Sequence, residues 1–190
     1  MNFLGAMSYT FSKEILTKEE MVKEFELPKV HKSGAVFDVK KLNWFNSQYI
    51  KKLEPSKFLK LAGIDVSEKA VPLITERLEK LSDVKNFYYL WQEPDYPKEL
   101  LKWKNTELHL VKMSLEKVKG IIENWDFQDP KVLRVRLDQT AGKDRGLIYW
   151  PLRVALTGKE KSPDPVEIIN IIGKDKTLER IERAIDKLKV

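Results

Sequence analysis

Cysteine is absent from the 190 residues, which rules out disulfides and thiolate-held metal in this chain. Histidine occurs twice, at His31 and His109, and neither stands in a recognisable motif. Nucleophilic catalysis of the triad kind needs a base beside a serine or cysteine, and nothing here supplies that arrangement. His109 falls within a helical pattern, where a structural role is the ordinary one. There is no His-Glu-x-x-His and no acidic calcium loop. Glycine is scarce, with 8 residues and none in a Gly-x-Gly-x-x-Gly arrangement, so the familiar phosphate-cradling loops are missing. No apolar run approaches the ~18 to 20 residues that cross a bilayer. The N-terminus lacks the basic start and long apolar core of a signal peptide. A cytoplasmic, monomeric protein with no membrane partner, no metal and no cofactor of its own is the expectation.

What is present is charge and helical periodicity. The 35 lysines and arginines exceed the 29 acidic residues, for a net charge of +6. That excess permits a polyanionic partner without requiring one. The length suffices for one core or two small ones. Strand-like alternation never persists beyond a few residues, and no repeat occurs. The fold class expected is all-α, a helical bundle.

Residues 1–16 show no clear periodicity. Met1 to Met7 look like the end of an interrupted apolar helix, as if the chain were cut from a longer one. Thr17 and Glu20 form a capping box for a short helix that ends before Pro28. Asp38 caps a helix in which Leu42, Phe45, Tyr49 and Leu53 recur at helical spacing. Lys40, Lys41, Lys51 and Lys52 lie on its other side, either as a solvated face or as a surface for phosphates. Pro55-Ser56 starts another short helix that ends near Gly63. Pro72 suits a first turn, with Leu73, Arg77, Leu78 and Leu81 continuing a stripe, and Asp83 opening a further segment. The turn Gln92–Pro97 is the best internal boundary. Asn105-Thr106 opens a long helix to about Trp125, Asp129-Pro130 caps the next, and that one stops at Gly142.

The densest stretch runs from Gly146 to Ile185. Gly158 and Gly173 divide it into three helix-length segments. Asp164 followed by Pro165 marks the start of the second, after a stiff loop carrying Pro163 and Pro165. Asp175 is the candidate cap for the third. Arg153 lies on a helix whose other face, Leu152, Ala155 and Leu156, is apolar. Its planar fork of donors suits a base edge or a phosphate. Ser162, Pro163 and Pro165 would offer backbone donors and a proline face to an unstacked base. Tyr149 and Trp150 are either stacking platforms or core.

The string Pro151 to Gly158, with Ser162-Pro163, Glu167 and Gly173-Lys174-Asp175 after it, resembles the C-terminal anticodon-binding region of bacterial glutamyl-tRNA synthetases. Ser33 to Asp38, Lys41 to Asn46 with Tyr49-Ile50, and Pro72 to Arg77 resemble earlier parts of the same region. The likeness extends from about Leu16 to Ile185. It implies an all-helical bundle that binds a glutamate-accepting tRNA, with residues 1–54 as a stem-contact segment. Residues 55–97 and 98–190 would be two anticodon-binding subdomains. Carried over, Arg77 would read the last anticodon base, and Arg153 with Ser162, Pro163 and Pro165 would contact the anticodon. Asp164 stands where the family usually has glycine, and Trp150 where a polar residue is common. The parent enzyme would attach glutamate to its tRNA with ATP and magnesium. This chain has no HIGH-like tetrapeptide, and its Lys112-Met113-Ser114 matches only the start of a KMSKS loop, so alone it should be inactive. A helical protein-interaction module of the same ancestry, and a structural domain with incidental charge, are the other readings.

Overall fold

The computed structural model describes every residue except Ser33, Ala35, Phe127, Gln128 and Val190. Part of the Ser33–Asp38 string therefore lies outside the described residues. Among these residues the ordered elements are α-helices and 3₁₀ segments, and no strand occurs. The chain forms two compact units. One comprises Met1–Gly63 and Val71–Lys85, the other Ile64–Ala70 and Asn86–Val190. The last passage from one unit to the other falls after Lys85, so the Gln92–Pro97 turn lies inside the second unit.

In the first unit, α1 (Asn2–Ser8) packs on α3 (Val39–Lys51). Phe3 meets Phe45 edge-on with ring centroids 6.3 Å apart. The buried Asn2 amide donates to the Leu16 carbonyl at 2.7 Å and accepts from the Leu16 N–H at 2.9 Å. One side chain thus ties down the aperiodic segment after α1. Helix α2 (Lys18–Glu24) starts with both halves of the Thr17–Glu20 box in place. Asp38 caps α3 by accepting from Lys40 N and Lys41 N. The buried residues of α3 are Phe45, Ser47 and Ile50. Tyr49, expected on that stripe, is exposed because its hydroxyl turns to the Asn2 amide at the helix margin.

Helix α4 (Pro55–Ala62) ends at Gly63 in left-handed conformation, and α5 (Val71–Thr75) packs against both α3 and α4. The stripe predicted through Leu81 does not hold. Helix α5 stops at Thr75, whose hydroxyl bonds back to the Val71 carbonyl at 2.9 Å. The chain then tightens into i→i+3 bonds at Arg77 and Leu78. Val71, Leu73, Ile74 and Thr75 are all buried and only Pro72 of this helix is exposed, a wider burial than a single amphipathic stripe describes.

The second unit is built on α6 (Leu108–Glu123), α7 (Pro130–Ala141), α8 (Gly146–Thr157), α9 (Pro165–Ile172) and α10 (Lys174–Lys187). Val111, Leu115, Val118 and Ile122 recur along one face of α6 and are buried, each such side chain contributing about 1.5–3 kcal/mol by its removal from water. Helices α8 and α10 pack against that face, and α7 and α9 flank α8. Helix α6 begins at Leu108 and not at Asn105-Thr106, since the Thr106 hydroxyl is engaged by the Trp103 carbonyl and caps nothing. Asp175 does not cap α10 either. Gly173 holds that position at φ 88° and ψ 169°, a conformation open to glycine, and Asp175 lies in the first turn.

Candidate nucleic-acid interface

Helix α8 carries the candidate site, and its start is fixed by one packing event. A Cβ at Gly146 would lie 2.0 Å from Trp103 Cε2. The indole therefore rests directly on the helix backbone, which only glycine permits. Trp103 Nε1 donates to Asp144 Oδ1 at 3.1 Å, and the same oxygen accepts from Gly146 N at 3.0 Å. Asp144 thus joins ring and helix end. Trp150, one turn on, donates from Nε1 to the Leu100 carbonyl at 2.9 Å, and its ring lies 5.3 Å from that of Trp103. Neither core nor free platform describes Trp150. One edge is anchored and the side chain is half-buried.

Arg153 lies one turn further along α8 and is also half-buried. Its Nη1 donates to the Ser162 carbonyl at 2.6 Å and approaches Ser162 Oγ at 3.3 Å and the Pro163 carbonyl at 3.4 Å. The helix and the Ser162–Pro165 loop are therefore brought together by the arginine itself. Pro163 and Pro165 are both buried. They shape the loop from inside and present no proline face outward, in contrast to the sequence expectation. Asp164 caps α9, accepting from Val166 N at 2.9 Å. Its carboxylate is also gripped by Arg134 of α7, Nη2 to Oδ1 at 2.7 Å and Nη1 to Oδ2 at 3.1 Å. That bidentate contact raises Arg134 above its ordinary pKa, chiefly through the hydrogen bonds to Asp164.

These residues border a cleft of about 540 Å³, within the usual range for ligand sites. Trp103, Tyr149 and Trp150 supply aromatic surface, Arg145, Arg153 and Lys161 positive charge, and Glu160 and Asp164 negative charge. Tyr149 donates to Asp138 Oδ1 at 2.7 Å, and the Arg145 guanidinium lies 4.9 Å over its ring while bonding Asp138 at 2.6 Å. Burial first, then that hydrogen bond, pushes the Tyr149 phenol up to about 12. Lys159, beyond Gly158, donates to the Asn86 carbonyl at 2.7 Å and lies over Tyr88. Burial pushes its ammonium down. Near-balanced charge with half-buried aromatic rings suits an unstacked base better than a run of phosphates.

The other candidates lie in the first unit. Arg77 is exposed, donates from Nη1 to the Leu73 carbonyl at 2.8 Å, and has Glu76 at 3.7 Å. It closes the end of α5. Lys40 and Lys41 at one end of α3, and Lys51 and Lys52 at the other, are all exposed. Lys112-Met113-Ser114 is wound into α6, as a coincidental match should be. His109 is exposed, with Glu107 at 3.1 Å. Among the described residues no group of three or more His, Asp or Glu is placed to hold a metal ion, and no helix is long and apolar enough to cross a membrane. Trp103, Arg134 and Arg145 escaped the sequence reading. The one available hint was Gly146, a glycine opening a helix where a side chain would ordinarily stand.

Together the helical layout and the cleft define an all-α domain that sets an arginine fork among aromatic rings beside a stiff, helix-capping loop. Residues 10–185 match the anticodon binding domain family, and the chain belongs to that family. The glutamate–tRNA ligase of Clostridium acetobutylicum is 35% identical over 208 aligned positions, covering 99% of this chain and 43% of the relative. That of Flavobacterium psychrophilum is 31% identical, covering 99% and 40%. The crystal structure of a glutamate–tRNA ligase from Elizabethkingia meningosepticum, in complex with its amino acid, superposes with a TM-score of 0.83 at 29% identity. The match covers 99% of this chain and 40% of that one. For the enzyme of Elizabethkingia anophelis the values are 0.77 and 28%, with 97% and 39% covered. The chain is thus homologous to the C-terminal portion of glutamate–tRNA ligases and spans less than half the length of these relatives. Nothing in these similarities favours the protein-interaction reading.

Proposed function

We propose that this chain binds a glutamate-accepting tRNA by its anticodon, as the specificity portion of a cytoplasmic, monomeric glutamate–tRNA ligase. The observation that carries the reading is Arg153, in a chain of the anticodon-binding family, held at a cleft with Tyr149, Trp150 and Trp103. Arg153 has one nitrogen committed to the loop. The residue also lines the cleft, where a base edge would meet its guanidinium. Ser162 lines the cleft with its hydroxyl donating to the Pro163 carbonyl at 3.0 Å, while Pro163 and Pro165 act by stiffening the loop. In the first unit, Arg77 reads a further anticodon base, and Lys40, Lys41, Lys51 and Lys52 contact the tRNA backbone.

The full-length enzyme would join glutamate to the tRNA using ATP and magnesium. Lys112-Met113-Ser114 is locked in a helix, and the acidic residues described do not cluster as metal ligands. The chain's contribution is binding energy that positions the tRNA, and not a reacting group.

Titrating the chain with labelled tRNA transcript, at several salt concentrations, tests this. Affinity should fall as salt rises, since phosphate contacts release counterions. Arg153→Ala should lose roughly 1–3 kcal/mol of affinity, as for a base-reading arginine. Salt-independent binding, or no preference for the glutamate anticodon over another, would overturn the proposal.

A further inference from the structure

Asp164 is an odd neighbour for RNA. It lines the cleft beside Arg153, and its side chain is about a third exposed, at 32%. A bare carboxylate there would repel an incoming phosphodiester. Yet the same carboxylate caps α9, so the loop depends on it for shape. We propose that Arg134 is a positioning residue for RNA recognition: it orients Asp164 and cancels its charge, so that the loop keeps its cap and the cleft still admits an anionic ligand. This rests on the reading that the cleft binds tRNA.

Three features support it. The contact is bidentate, with two N–H to oxygen bonds at 2.7 and 3.1 Å, the geometry in which arginine fixes a carboxylate plane and lysine does not. Arg134 is raised from its ordinary pKa by that partner above all. The loop is also held on its other side, where Arg153 grips the Ser162 carbonyl. Two arginines from neighbouring helices therefore clamp four residues. Arg153 lines the cleft and Arg134 holds the acid.

The test separates charge cancellation from simple bracing of the loop. Asp164→Asn keeps an amide oxygen for the α9 cap and removes the charge. tRNA binding is measured for the unaltered chain, Arg134→Ala, Asp164→Asn and the double variant, with thermal melting of each. Arg134→Ala should weaken binding about five- to tenfold at low salt, and less at high salt, because an unscreened charge is responsible. Asp164→Asn should bind no worse than the unaltered chain. The double variant should recover to within about twofold of it. A brace alone predicts that the double variant binds as poorly as Arg134→Ala, and that result overturns the proposal. Should Arg134→Ala fail to fold, Arg134→Gln replaces it in the same cycle. Failure of the unaltered chain to bind tRNA defeats the parent reading and this inference together. Binding by the unaltered chain with no effect of Arg134 defeats this inference alone.

Discussion

Arg180 shows how a charged residue becomes structural. It lies on α10, 4% exposed, with Nη1 donating to the Leu156 carbonyl at 2.6 Å and Nη2 to the Gln92 carbonyl at 3.1 Å. Nε lies 3.3 Å from Glu93. Burial pushes its pKa down and Glu93 opposes that push. One guanidinium thus closes the last turn of α8 and pins the Gln92–Pro97 turn beside it. Replacing it with methionine leaves two carbonyls without donors and Glu93 without its buried partner. Arg180→Met should cost roughly 2–4 kcal/mol. Denaturant unfolding measures this, and an unchanged midpoint would show that the network contributes little.

At the scale of elements, α8 is the piece on which the site depends. Its start requires Gly146 against Trp103, and its end requires Gly158. The latter has φ 66°, and an added Cβ would meet Pro94, the Asp95 carbonyl and Tyr96 at 3.2–3.3 Å. Pro151 within the helix removes the bond its nitrogen would give to Leu147, yet its buried ring packs where a polar break could not. Gly146→Ala should displace the Trp103 indole and break its bond to Asp144, at a cost of about 1–3 kcal/mol from overpacking. The check is a lowered melting temperature together with a red-shifted tryptophan emission. If melting and emission both stay put, the indole does not rest on the helix as described.

For the molecule as a whole, alkaline pH probes the second unit. Tyr149 is pushed up to about 12, chiefly by burial with Asp138 adding to it. Tyr96 is pushed higher still, again by burial first and then by Glu93. Both stand above the unfolded value of about 10. Below pH ~10 these phenols are neutral in both states, so their contribution is intact. As pH rises past 10 the unfolded chain sheds protons that the folded chain retains, and stability falls. Ultraviolet titration should therefore show Tyr96 and Tyr149 ionising late, together with loss of helical signal. Ionisation of Tyr96 and Tyr149 near 10 in a folded protein would contradict the burial of this pair.

The local grammar of the fold was legible in the residues. Thr17 with Glu20, Asp38, Asp129 and Asp164 each cap the helix they precede, because capping is a bond between a side chain and a backbone two or three residues on. Gly158 and Gly173 end α8 and α9 for an equally local reason, a backbone angle that other residues resist. The amphipathic stripe of α6 is likewise a property of the stretch itself. So is the family resemblance, which depends only on the order of residues. What tertiary structure alone decided involves partners far apart in sequence. Trp103 reaches Gly146, Arg134 reaches Asp164, and Arg180 reaches Gln92. No periodicity encodes such pairings. The burial of Pro163 and Pro165, which turned an imagined binding face into an internal brace, follows from the helices packed around them. Asp164 stood out in the sequence as an acid where the family usually has glycine, and the fold supplied the arginine that holds it.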